Sequence, residues 1–403
     1  MLTTAVITVK SKSELKYSLI FVHGMFGWGE NEGINKYIPY WGATSGNITE
    51  HMNEMGCTAY AASVGPMSSA WDRACELYAQ LTGTWVDYGK AHSARHGHKQ
   101  FGRNYNTPLV ENWSAENKIH LIGHSFGGTT VRMLCHLLTH GAPEEVEASG
   151  NNVSPLFKGG KGDWICSLTA ICSPLNGTAA HDTAVRYKLK NLILYGASLY
   201  SGVLGRSPLN GTLVDFHLEQ FGLTNTPGQK DAQPIMESIK AISKTKDQIE
   251  YDMSPEGTKE INDRIEISPD VCYFSYAYNS VKESKSGKWH TPSYTKFPFL
   301  SFTSALMMHD TKNHPDFPGS KIELYNDGLV DTFSATHPHD EPHCLWEDGT
   351  EIKPGIWHVM PITHGDHGTA IGLFESKDVT QKFYEDMLLM LSGAEEAINR
   401  AKV

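Results

Sequence analysis

At 403 residues, with 40% hydrophobic and 20% charged side chains, the chain is long enough to bury a large core within one decorated domain. It carries 45 acidic against 34 basic residues, a formal charge of −11. This excludes nucleic acid or an anionic membrane as a main partner, because both require a basic face. The seven cysteines form no Cys-x-x-Cys pair, and an odd number cannot close completely into internal bridges. They read mainly as small buried hydrophobes, with one bridge left open.

The segment from Met1 to Lys16 lacks the apolar core and cleavage site of a secretory leader, and no later stretch is long and apolar enough to cross a bilayer. The expectation is a secreted protein whose leader is not in this sequence, with a cytosolic location as the alternative. Further along, short apolar, β-branched or aromatic runs at 17–22, 59–63, 118–122, 164–171, 271–276 and 356–362 read as buried strands. Val131, Leu134, Cys135 and Leu138 follow the i, i+3, i+4, i+7 spacing of one buried helix face. Strand–helix alternation predicts an α/β fold, with a mostly parallel central sheet and helices on both faces. Three segments exceed what such a sheet needs. Residues 65–112, rich in Trp, Tyr, His and Gly, read as an insertion. Residues 177–265 combine a helical apolar pattern (Leu189, Leu192, Tyr195) with a polar stretch, and 280–345 is loop-rich. Long structured insertions are where lids and binding sites are usually built.

The strongest local signal is Gly123-His-Ser125-Phe-Gly127, a GxSxG set between an apolar strand and an amphipathic helix. The strand must turn sharply into the helix. That forces the serine into a strained conformation and leaves no room for side chains at the two glycines. The serine then stands beside a helix N-terminus with its free N–H groups, placed for nucleophilic attack on a carbonyl. Near the N-terminus, Leu19 to Val22 run as a strand into His23-Gly24-Met25-Phe26. Hydrolases with this elbow draw one oxyanion-hole N–H from such a loop and one from the residue after the serine, which nominates the backbones of Met25 and Phe126.

In this arrangement an Asp or Glu and then a His follow the serine along the chain. The late histidines are His337, His339, His343, His358, His364 and His367. Because the base belongs just after a last strand, here 355–362, His364 and His367 lead. For the acid, Asp327 in an Asn-Asp-Gly turn competes with Asp331. Spacing alone leaves both choices open.

The segment from Trp71-Asp72 through Val86-Asp-Tyr-Gly-Lys-Ala-His92 to His96-Gly-His98 resembles the zinc-containing lipases of thermophilic bacilli, with the staphylococcal lipases as cousins. The likeness extends to residues 23–29, the nucleophile segment, 173–178, 215–223, Tyr251 to Ser254, and Asn326-Asp327-Gly. It implies an α/β-hydrolase fold, with a zinc-bearing insertion at 65–112 and a helical lid and cap within 177–265. It also implies a triad of Ser125, Asp327 and His367, acting on hydrophobic esters at a lipid–water interface, with a short-chain esterase or a catalytically silent zinc-stabilised binding protein as the alternatives. A structural zinc ion would be held by Asp72, His92, His98 and Asp252. Taken alone, the segment would instead favour His92 and His96, four apart on one helix face.

Some positions depart from the family. Phe126 stands where the thermophilic lipases carry Gln, which predicts an acyl pocket of altered shape. The lid stretch 180–210 diverges. The relatives' calcium carboxylates, just downstream of the base, are replaced by Thr369 and Phe374, so no calcium is expected there even with Glu375 adjacent. Phe26, Trp28 and Phe126 together suggest an aromatic entrance suited to bulky or polymeric esters.

Overall fold

The computed structural model describes residues 15–186, 215, 217, 219–221, 245–286, 290–311 and 324–401. Its centre is a seven-stranded sheet. In chain order the strands and the hairpin beside them are β1 (Ser18–Val22), β2 (Ala59–Ala62), β3 (Trp85–Asp87), β4 (Phe101–Asn104), β5 (Ile119–His124), β6 (Ile165–Ile171) and β7 (Cys272–Tyr276). Two short strands, His343–Leu345 and Trp357–Val359, complete the sheet in the order His343–Leu345, Trp357–Val359, β7, β6, β5, β1, β2. Every pairing in it is parallel. Strands β5 and β6 are buried along their whole length, as continuous apolar runs covered on both faces require.

All six runs read as strands lie in this sheet, within a few residues of their expected ends. The edge strand His343–Leu345 was not anticipated, because three residues with exposed ends carry no periodic signal. One face is covered by α1 (Ile48–Glu54) and by the C-terminal helix Lys377–Ala401 through Tyr384, Met387, Leu388 and Leu391, the other by α2 (Ala70–Thr82) and α4 (Phe126–His140). Residues 65–112 divide into two parts. Helix α2 is a core element, buried from Ala70 to Leu81, whereas the antiparallel pair β3–β4 and the helix α3 (Lys90–His96) lie outside the sheet layers. The expected lid stretch 180–210 lies outside the described residues beyond Arg186, where the helix Ala179–Arg186 ends its described part. None of the seven cysteines forms a disulfide and six are buried, in line with their reading as core hydrophobes. No described helix is long and apolar enough to cross a membrane.

Candidate functional site

At the C-terminal end of β5 the chain turns into α4 through Ser125, with φ 56° and ψ −131°, a region that side chains rarely occupy. The flanking glycines are there for space. A Cβ on Gly127 would lie 2.1 Å from the Val22 carbonyl oxygen, and one on Gly123 would lie 2.4 Å from the Gly127 backbone. Ser125 donates its N–H to the Ile171 carbonyl at 2.8 Å, locking the elbow to the end of β6. Gly24, in the loop after β1, approaches the serine directly: a Cβ there would sit 3.1 Å from Ser125 Oγ.

Asp327 and His367 arrive from distant loops and meet. His367 Nδ1 lies 2.8 Å from Asp327 Oδ2, and the His367 N–H donates to the Asp327 carbonyl at 2.8 Å. The other oxygen of Asp327 accepts from the N–H groups of Leu329 (2.9 Å) and Val330 (2.7 Å), so the Asn-Asp-Gly turn aims the carboxylate. Cys172, at φ 50° just beyond β6, hydrogen-bonds to the same carboxylate. Burial, and then that charge, push its thiol well above the ordinary range. His367 meets the nucleophile segment through His124, whose ring centroid lies 4.8 Å from its own. The rival residues are occupied elsewhere. Asp331 accepts from Ala179 N–H at 2.8 Å, and burial lifts its carboxyl to about 7. His364 is exposed and stacks on Tyr294.

In the loop after β1, Gly24 donates to Tyr40 Oη (3.0 Å), Phe26 to the Pro66 carbonyl (3.1 Å) and Gly27 to the Gly24 carbonyl (3.2 Å). Between them, the Met25 amide makes no such bond among the described residues. Arg73 braces the loop from below, donating to the carbonyls of His23 and Gly65 and to Thr130 of α4. Met25, Phe26 and Ser125 open onto a pocket of about 250 Å³, lined further by Met253, Phe299 and Leu329. Phe126 does not line it. The residue is fully buried and its ring packs under the Arg73 guanidinium at 5.5 Å, which corrects the expected pocket change and its place in an aromatic entrance. Trp28 likewise packs edge-on against Tyr40 and donates to the Ile38 carbonyl.

A second cluster joins Asp72 of α2, His92 of α3, His98 and Asp247. His92 Nε2 stands 3.2 Å from both Asp72 Oδ1 and Asp247 Oδ2, while His98 Nε2 stands 3.1 Å from Asp247 Oδ2 and 4.0 Å from Asp72 Oδ1. A tetrahedral ion with bonds of about 2.0–2.1 Å places its ligand atoms about 3.3 Å apart, so three of these four edges match one and the His98–Asp72 edge is longer. Asp72 Oδ1 and His98 Nε2 are buried without an aligned hydrogen bond. The outer atoms, by contrast, are held: Gln220 donates to Asp72 Oδ2, His98 Nδ1 faces the Lys99 carbonyl, and Trp71 stacks flat on His92. The residues present therefore fit a metal ion.

Asp252 is not in this set, contrary to expectation. Its carboxylate accepts from Ala70 N–H at 2.7 Å and caps the first turn of α2, and Asp247, five residues earlier, reaches the histidines instead. His96 lies tilted against His92, with ring centroids 4.5 Å apart, but is outside the set.

Residues 15–397 match the family described as "Lipase-like, C-terminal domain". The chain belongs to that family. This lipase-like chain is 34% identical over 366 residues to a lipase of Staphylococcus hyicus, covering 89% of the chain and 54% of that protein. It spans about half the length of the curated relatives it matches. Among solved structures, EstA from Clostridium botulinum is 36% identical with a TM-score of 0.81, covering 94% of this chain and 88% of that one. The S. hyicus lipase structure is 32% identical with a TM-score of 0.78, covering 96% and 98%. Asp247, Cys172 and Tyr40 escaped the sequence reading. Asp247 sits in a polar run without periodicity, and the other two act through contacts that only folding creates.

Proposed function

We propose that the chain is a serine carboxylic-ester hydrolase of lipase type, with Ser125 as nucleophile, His367 as general base and acid, and Asp327 as its orienting carboxylate. The observation that carries this reading is the 2.8 Å contact of His367 Nδ1 with Asp327 Oδ2, beside a serine held on a strained elbow at the mouth of an apolar pocket. Ser125 Oγ attacks the ester carbonyl and gives its proton to His367 Nε2, while Asp327 fixes the tautomer and stabilises the imidazolium. The N–H groups of Met25 and Phe126 take the developing oxyanion, and the engagement of the neighbouring loop amides supports Met25 in that role. His367 returns the proton to the leaving alcohol, and water then releases the acyl group by the same steps in reverse. The methionine- and phenylalanine-lined pocket suits the acyl chain of a hydrophobic ester presented at a lipid–water interface. A lid and cap within 177–265 would cover this pocket.

The second cluster would hold zinc through Asp72, His92, His98 and Asp247. Four protein ligands leave no open position for a catalytic water, so the ion's part is to clamp the 65–112 insertion to the segment around Asp247. No calcium is proposed beside His367, where Thr369 bonds to Asp366 and Glu375 pairs with Lys296. Ser125→Ala is the test. It should abolish hydrolysis of a medium-chain p-nitrophenyl ester while leaving the melting temperature within a few degrees of wild type. Activity above about a tenth of wild type, about 1.4 kcal/mol in barrier, would end the assignment.

A further inference from the structure

Four groups join the loop after β1 to the backbone of His367, and only one arrangement of protons satisfies them all. Gly24 N–H lies 3.0 Å from Tyr40 Oη. Tyr40 Oη lies 2.7 Å from His124 Nδ1, and His124 Nε2 lies 2.9 Å from the His367 carbonyl oxygen. A backbone N–H can only donate, so the Tyr40 oxygen accepts at that end. A carbonyl can only accept, so His124 Nε2 carries a proton. A neutral imidazole protonated at Nε2 has a bare Nδ1, and the one remaining donor is the hydroxyl proton of Tyr40. The ring is fully buried, and burial together with the neighbouring His367 holds it well below the usual histidine range, in the neutral form this pattern requires.

We infer that Tyr40 and His124 are positioning residues for ester hydrolysis, a proton-ordered strap that fixes the backbone of His367 relative to the loop facing Ser125. One end of the strap is Gly24, whose α-carbon approaches Ser125. The other end is the carbonyl of the residue whose side chain moves the proton. His367 is thereby held at three points: N–H to the Asp327 carbonyl, Nδ1 to the Asp327 carboxylate, and carbonyl to His124. Without the last, the peptide can tilt about the first two, and Nε2 swings relative to Ser125 Oγ. The histidine inside the GxSxG thus does more than precede the nucleophile. The inference rests on the triad proposed above.

Three variants test it on the whole chain. His124→Leu fills the space without a donor, His124→Gln places an amide N–H near the position of Nε2, and Tyr40→Phe removes one oxygen. Active sites are counted by fluorophosphonate titration, and kcat and KM are followed against pH with a soluble p-nitrophenyl ester. His124→Leu should lower kcat on the order of 10- to 100-fold, the loss that a misplacement of about 1 Å brings, with KM little changed and the acid limb of the kcat profile displaced. His124→Gln should recover most of kcat and return the limb to its place. Tyr40→Phe should lower kcat by a smaller factor in wild type and add nothing in the His124→Gln background, where no ring nitrogen needs its proton.

The inference is overturned if folded His124→Leu and Tyr40→Phe keep wild-type kcat and pH profile, or if folded His124→Gln falls as far as His124→Leu. Should His124→Leu fail to fold, Tyr40→Phe decides, and an unchanged kcat there overturns the strap. Ser125→Ala, assayed alongside, separates the two readings. If it stays active, the triad itself is wrong. If it is inactive while the other variants are normal, only the strap is.

Discussion

Two of the buried clusters of histidine and acid among the described residues look alike in composition and differ in how their atoms are satisfied. Around Ser125, the His124, Cys172 and His367 ligand atoms lie within 4.8 Å of one another. Yet each already has a partner: Asp327 for His367 and Cys172, and Tyr40 with the His367 carbonyl for His124. Around Asp72, His92, His98 and Asp247 the spacing is equally close, but Asp72 Oδ1 and His98 Nε2 are buried with no aligned hydrogen bond. The cost of burying a polar atom unpaired makes that difference informative. A cluster closed by its own hydrogen bonds is ordered for moving protons, and one with inward atoms left over is shaped around a cation.

The largest effect that would break this contrast lies in the closed cluster. Asp327→Asn should lower kcat/KM by about four orders of magnitude, the loss seen when an orienting carboxylate no longer sets the tautomer of its histidine. Asp331→Asn, whose residue faces Ala179 rather than His367, should cost far less. Steady-state kinetics on both variants decides, and the reverse order would transfer the acid's role to Asp331.

A stability effect comes next, in the open cluster. Chelation should lower the melting temperature by several degrees, because an ion present at 1,000 times its Kd stabilises the folded form by about 4 kcal/mol. Asp247→Asn should lose the bound metal, measured by elemental analysis. Asp252→Asn should keep it and weaken only the cap on α2. Metal retained in Asp247→Asn and lost in Asp252→Asn would reverse the ligand assignment.

The smallest effect concerns pH. Burial raises the Asp331 carboxyl to about 7, so between about pH 4 and 7 the folded state holds a proton that the unfolded state has released. The contribution of Asp331 to stability is therefore greatest below about pH 4 and falls as pH rises through 7. Asp331→Asn removes this slope. Its stability relative to wild type should rise between pH 5 and pH 8 in urea titrations, and a flat difference would contradict the raised value.

The parts legible in the sequence were those that obey local rules. Continuous apolar runs marked the buried strands, and the glycines around Ser125 announced an elbow whose steric need is a matter of 2.1 and 2.4 Å. The Asn-Asp-Gly turn pointed to Asp327 because a turn can present a carboxylate. Resemblance, not spacing, separated it from Asp331. Contacts made across long stretches of chain were not legible. Asp247 lies 149 positions after His98, closer in sequence to Asp252, which stands outside the cluster, than to any other member of it. The place of Phe126 beside the nucleophile suggests pocket lining, but a helix start turns its side chain inward, under Arg73.

The central claim is that Ser125 is the covalent centre of an ester hydrolase. Its most direct test is a single fluorophosphonate labelling, read by intact mass and by peptide mapping. One adduct per chain, on the peptide containing Ser125, with activity lost in step and no adduct on Ser125→Ala, is the predicted result. Full hydrolysis with the reagent unbound, or an adduct at another residue that tracks the loss of activity, would contradict it.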